Sequence, residues 1–120
     1  MTSISTTDHH WQKKVLDILR SLAQNRQTIT YADLADLAAI PSPHRIHQLV
    51  EYLEHLIAED ARAKRPLRAA VVISKTARAI PAEGFFDCCE AHFISRQTGE
   101  DAAAMHARLL AALYQAEAQI

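Results

Sequence analysis

Residues 28–45, TITYADLADLAAIPSPHR, decide how this chain is read. Thr28, Ile29 and Thr30 are β-branched and too few for more than a short strand. Thr30 is placed to cap a helix that opens at Tyr31, with Asp33 in its first turn and Leu34, Leu37 and Ala38 as its buried stripe. Ile40, Pro41, Ser42 and Pro43 stop that helix, because each proline pushes its predecessor out of the α region. Ser42 then serves as N-cap and Pro43 as first residue of a third helix, a position whose N–H has no helical partner anyway. That helix carries Ile46, Leu49, Val50, Leu53, Leu56 and Ile57 on one face. It runs to about Ala63, where Lys64 and Arg65 suit the negative end of the helix dipole and Pro66 ends it.

Upstream, Trp11, Val15, Ile18, Leu19 and Leu22 form one face of an amphipathic helix that Asp8 caps and that ends near Asn25. Downstream of Pro66 the period changes. Leu67–Ser74, with Val71, Val72 and Ile73, reads as a strand, residues 75–77 as a turn, and Arg78 onward as a return strand. Gly84 separates this from a short helix with Phe85, Cys88 or Cys89, and Phe93 on one face. Glu100 and Asp101 open a long Ala-rich helix with Met105, Leu109, Ala112, Leu113 and Ala116 on one side. The expected fold is therefore mainly α with a small β-hairpin: a winged helix-turn-helix core over residues 9–82 and a C-terminal helical extension over residues 84–119. Residues 1–7 read as a disordered tail, not a signal peptide, and residues 8–120 as a single domain.

With 120 residues, 49% of them apolar, the chain can bury a core of its own. No stretch approaches the roughly twenty apolar residues that cross a bilayer, so no membrane partner is expected. The only cysteines, Cys88 and Cys89, are adjacent and badly placed to bridge each other, which points to a cytoplasmic protein. Glycine-rich phosphate loops are absent. Neither Cys88, Cys89 and His92 nor His44 and His47 have the spacing or number of ligands a metal site needs, so neither metal nor cofactor is expected. No nucleophile sits beside a base in a recognisable motif, and an enzyme is not expected.

Charge is segregated. Residues 1–60 hold five Lys/Arg against eight Asp/Glu and residues 83–120 hold two against six, yet residues 61–82 hold Arg62, Lys64, Arg65, Arg68, Lys75 and Arg78 with no acid. In a winged helix the third helix enters the major groove by its N-terminal residues while the wing touches phosphates. Removing the apolar stripe leaves His44, Gln48, Glu51 and His55 facing outward, with Arg45 and Tyr52 on the flanks. Arg45 and Gln48 have the side chains for bidentate contacts to guanine and adenine. The candidate nucleic-acid site is thus Ser42, His44, Arg45 and Gln48 for the bases, and Arg62, Lys64, Arg65, Arg68, Lys75 and Arg78 for phosphates, with double-stranded DNA as partner. The alternative is a protein-interaction adaptor or inhibitor, because Glu51, Glu54, Glu59 and Asp60 repel phosphates and a pI near 6.6 is low for a DNA binder. Leu109, Leu110 and Leu113 widen the apolar face of the last helix enough to suggest a homodimer through it.

Thr30-Tyr31-Ala-Asp-Leu-Ala, together with Pro66-Leu-Arg-Ala-Ala-Val-Val-Ile-Ser and Ile80-Pro-Ala-Glu-Gly-Phe, resembles the DNA-binding domain of the alkylguanine-DNA alkyltransferases and alkyltransferase-like proteins. The resemblance implies the winged-helix scaffold. It does not imply their chemistry, since the nucleophilic cysteine of their Pro-Cys-His-Arg motif has no counterpart between Pro66 and Ile80. Residues 80–86 also look like the Pro-x-x-Gly-Phe-Phe ending of uncharacterised bacterial winged-helix proteins.

Overall fold

A computed structural model describes residues 10–76 and 78–118. In chain order its elements are α1 (His10–Gln24), β1 (Ile29–Thr30), α2 (Tyr31–Leu37), α3 (Arg45–Ala63), a 3₁₀ turn (Arg68–Val71), β2 (Val72–Ile73), α4 (Glu83–Ala91) and α5 (Ala102–Ala118). The chain is mainly helical, with one two-stranded parallel sheet among the described residues. The tail over residues 1–7, the Asp8 cap and Ala77 of the expected turn lie outside the described residues.

Four helices end in the same way, and the ending explains several positions. After α1, α2, α3 and α4 one non-glycine residue takes the left-handed conformation: Arg26 (φ 55°), Ala39 (φ 56°), Lys64 (φ 56°) and Phe93 (φ 66°). Each donates its N–H three residues back. The next N–H, of Gln27, Ile40, Arg65 and Ile94, reaches five back, to Leu22, Ala35, Asp60 and Cys89 at 2.8–3.1 Å. This pair of bonds satisfies carbonyls that the helix end leaves open. Phe93, expected in the core, is 95% exposed because it occupies this corner.

The α2 start agrees with the sequence, Thr30 Oγ1 accepting the Asp33 N–H at 3.2 Å. Leu37 does not join the buried stripe and is 63% exposed. The packed face of this short helix is Leu34, Ala35 and Ala38, and at about 100° per residue Leu37 points well away from its centre. The α3 start also differs: His44 is at φ 61°, outside the right-handed region, so the helix opens at Arg45 and neither Ser42 nor Pro43 belongs to it. Ile46, in the first turn, is exposed, and burial begins at Leu49.

The expected hairpin is not formed. Ile29 pairs with Val72 and Thr30 with Ile73 in parallel, so the strand that follows α3 joins the strand that precedes α2. Half of the run over residues 67–74 is instead the 3₁₀ turn, with Ala69, Ala70 and Val71 buried. A return strand is blocked because Arg78 and Ala79 are left-handed and Pro81 has no N–H to donate. The Ser74 N–H bonds to the Ile80 carbonyl at 2.7 Å, and the Ala82 N–H bonds to Tyr31 Oη at 3.1 Å, closing the loop against α2.

The 3₁₀ turn packs against α1, α3 and α5. Asp60, fully buried, occupies the same face of α3 as Leu53, Leu56 and Ile57 and accepts from Arg65 Nε at 2.9 Å, from the Arg68 backbone N–H at 3.0 Å and from Arg68 Nε at 3.1 Å. From α5, the buried His106 bonds through Nε2 to the Ala70 carbonyl at 2.7 Å; as that oxygen only accepts, the imidazole donates. Met105, Leu109 and Leu113 of α5 are buried in the same core, Leu110 packs against it, and α5 lies along α1. The leucines expected to widen a dimer face are thus used within the chain.

Two outcomes follow from this core. Asp60→Ala strands the Arg68 N–H and removes two ion pairs, and a loss of about 3 kcal/mol in urea unfolding is expected; a loss below about 1 kcal/mol would show that water replaces the carboxylate. Burial pushes the His106 pKa below its ordinary value of 6.5. The unfolded chain therefore binds the extra proton first, so this contribution is complete above about pH 6.5 and is lost as pH falls towards the depressed folded value. The unfolding midpoint of the wild type should drop between pH 7.5 and pH 5 more steeply than that of His106→Gln; parallel slopes would remove His106 as the cause.

Candidate functional site

The α2–α3 turn is held by the two side chains that the sequence assigns to base contacts. Arg45 donates through Nε to the Ile40 carbonyl at 2.8 Å and through Nη2 to Asp36 Oδ1 at 2.9 Å. Gln48 donates through Nε2 to the Pro41 and Pro43 carbonyls at 2.8 and 2.9 Å. Ser42 and His44 are exposed in the same turn. The turn is short of N–H donors because two of its residues are prolines, and both side chains reach back to its carbonyls.

The six cations divide into two groups. Arg65 and Arg68 lie on Asp60, and Arg68 also reaches Glu59 at 3.2 Å, so their charges are largely matched inside the protein. Arg62 and Lys64 at the end of α3, with Lys75 and Arg78 after β2, are exposed and form no ion pair among the described residues. No hydrogen bond among the described residues joins Lys75 or Arg78 to the α2–α3 turn.

The outer face of α3 is built of histidine–carboxylate pairs one helical turn apart. His47 Nε2 lies 3.4 Å from Glu51, and His55 Nε2 lies 3.0 Å from Glu59. Tyr52, between them, stacks on His55 and takes the edge of Trp11 from α1 with ring centres 5.6 Å apart. The Arg68 hydrogen bond, followed by a smaller attraction to His55, holds the Glu59 carboxyl below its ordinary range despite an opposing desolvation. Between α1 and α3 runs an open groove of about 810 Å³, reaching from Pro41 and Ser42 along Gln48, Glu51, Tyr52 and His55 to Glu59, with Trp11 and Leu16 opposite. In the sequence, Glu51, Tyr52 and His55 stand only as the outside and flank of a base-reading helix. Tyr52, His55 and Glu59, spaced three and four apart beside the apolar stripe, were the signal for a groove.

The groups that invite a catalytic reading are quiet. Burial pushes the Cys89 thiol up to about 12, with a smaller contribution from neighbouring Cys88, and burial also raises Cys88, next to Glu54. Both remain thiols at neutral pH, poor nucleophiles. The Ser74 hydroxyl is 3.2 Å from Thr76 Oγ1. Among the described residues no three His, Cys, Asp or Glu side chains converge as a metal requires, and no helix is long and apolar enough to cross a membrane.

Comparison with protein-family models, with curated proteins and with solved structures gives no match for this chain.

Since Arg45 and Gln48 stitch the turn, their removal should register in folding. Arg45→Ala and Gln48→Ala are each expected to cost about 1–2 kcal/mol in chemical denaturation, whereas Arg62→Ala and Lys75→Ala should stay within about 0.5 kcal/mol. Equal, small effects at all four positions would return Arg45 and Gln48 to the pool of free surface donors.

Proposed function

We propose that the chain is a non-catalytic binding module on a helix-turn-helix scaffold of winged-helix type, with the loop over residues 74–81 in place of a hairpin wing, and that its partner is a protein engaged through the outer face of α3. The observation that carries this reading is the state of α3. Its expected base readers are committed to the chain's own turn, and what remains outward is His47, Glu51, Tyr52, His55 and Glu59. Such a surface repels phosphates and offers aromatic and carboxylate groups of the kind protein partners use.

Duplex DNA is the second reading. It is favoured by Arg62, Lys64, Lys75 and Arg78, which are exposed and unmatched by acids among the described residues. In that case binding is a phosphate interaction with little sequence preference, and each contact contributes about 0.9 to the slope of log affinity against log salt. A photo-reactive residue placed at His55 or at Arg78 in the full chain, expressed in its native host, separates the two. A discrete protein adduct from position 55, with no DNA adduct from either position, is expected. A DNA adduct from position 78, with salt-sensitive duplex binding below about 100 µM at about 50 mM salt, would displace the protein reading.

A further inference from the structure

We propose that the groove between α1 and α3 takes a basic amphipathic segment of the partner protein, which lays an apolar stripe on the groove floor and sets Lys or Arg side chains against its acidic rim. This rests on the protein-binding reading and names the chemistry of the partner. The floor is Trp11, Leu16, Tyr52 and Leu56, and the charged lining is Glu51 and Glu59, with no Lys or Arg among the groove residues. The Glu51 side chain is 68% exposed and, among the described residues, pairs only with His47, so its charge is available to an incoming cation. Glu59 is kept ionised by Arg68, which offsets part of its charge from behind; Glu51 is therefore the stronger attractor.

The shape agrees with the charge. A groove of about 810 Å³ bounded by two helices is open along its length, as a helical or extended segment needs. An anionic ligand meets two carboxylates and no cation there. A purely apolar segment desolvates both carboxylates and adds no charge to match them, which is unfavourable. Only a segment that is both apolar and basic satisfies the floor and the rim together.

Trp11 is the only tryptophan of the chain and lines the groove, so its emission reports occupancy. The full chain is titrated with two synthetic helical peptides that share a leucine stripe at i, i+3, i+4 and i+7. One carries Lys at its other positions and its twin carries Glu. The Lys peptide is expected to shift Trp11 emission and to bind about tenfold more tightly than the Glu peptide. Glu51→Lys, whose charge reversal lies on an exposed helix position, should weaken the Lys peptide several-fold with an unchanged circular dichroism spectrum. Gln12→Arg, on the opposite wall, should act in the same direction.

Equal binding of both peptides, or binding that ignores Glu51→Lys and Gln12→Arg, overturns the proposal. So does a large gain in affinity on deleting residues 1–9, which would make the chain's own leading segment the occupant. A dimer in sedimentation that the Lys peptide dissociates would overturn it in favour of a second copy. A Lys peptide that fails while the protein adduct at position 55 still forms would sink this proposal and leave the protein-binding reading standing; loss of both sinks the two together.

Discussion

The buried carboxylate of Asp60 is the constraint on which the rest of the arrangement depends. It sits where the apolar face of α3 runs out and gathers Arg65, Arg68 and a backbone N–H around itself. By doing so it fixes how the chain leaves α3 and where the 3₁₀ turn begins. Because that turn lies against α1, α3 and α5, its position sets the spacing of three helices, and it delivers Val72 and Ile73 to the edge of β1. A carboxylate so enclosed is costly to desolvate, and several directed donors are what make it tolerable.

The same contacts reshape the surface electrostatics. A segment with six cations and no acid is strongly basic on paper, but Asp60 and Glu59 come from the neighbouring segment and cancel part of it. At the other end of α3, Asp36 matches Arg45. The helix left facing outward has aromatic and acidic character, and the remaining positive charge is displaced to the end of α3 and the loop after β2. Separation of these two surfaces leaves an acidic groove between α1 and α3 and, at a different place, exposed cations.

Much of the fold was legible because it rests on period and on caps. The stripes of α1 and α3, the Thr30 cap and the Ala-rich last helix are local properties of the sequence. The parallel sheet was not legible, since a short apolar run such as Val71–Ile73 is compatible with a strand, a 3₁₀ turn or both, and only tertiary packing divides it. The site is hidden in the sequence for a related reason. Arg45 and Gln48 have the side chains of base readers, yet the two prolines before them leave carbonyls that the nearest long donors satisfy first. Asp60 did leave a trace, an acid in phase with Leu53, Leu56 and Ile57 followed within eight residues by three arginines, of which Arg65 and Arg68 are its partners.

The repeated helix ending with Arg26, Ala39, Lys64 and Phe93 in left-handed corners has a consequence for how this sequence has been shaped. A side chain in that conformation costs roughly 1 kcal/mol relative to glycine, and the chain accepts this at four helix ends while spending only two glycines elsewhere. The topology is thus over-determined by its packing, and the corners hold without the residue best suited to them. Evolution has therefore left an easily reached reserve of stability at these positions, open to drift at Lys64 and Phe93, where the side chain is exposed and the backbone alone sets the bend.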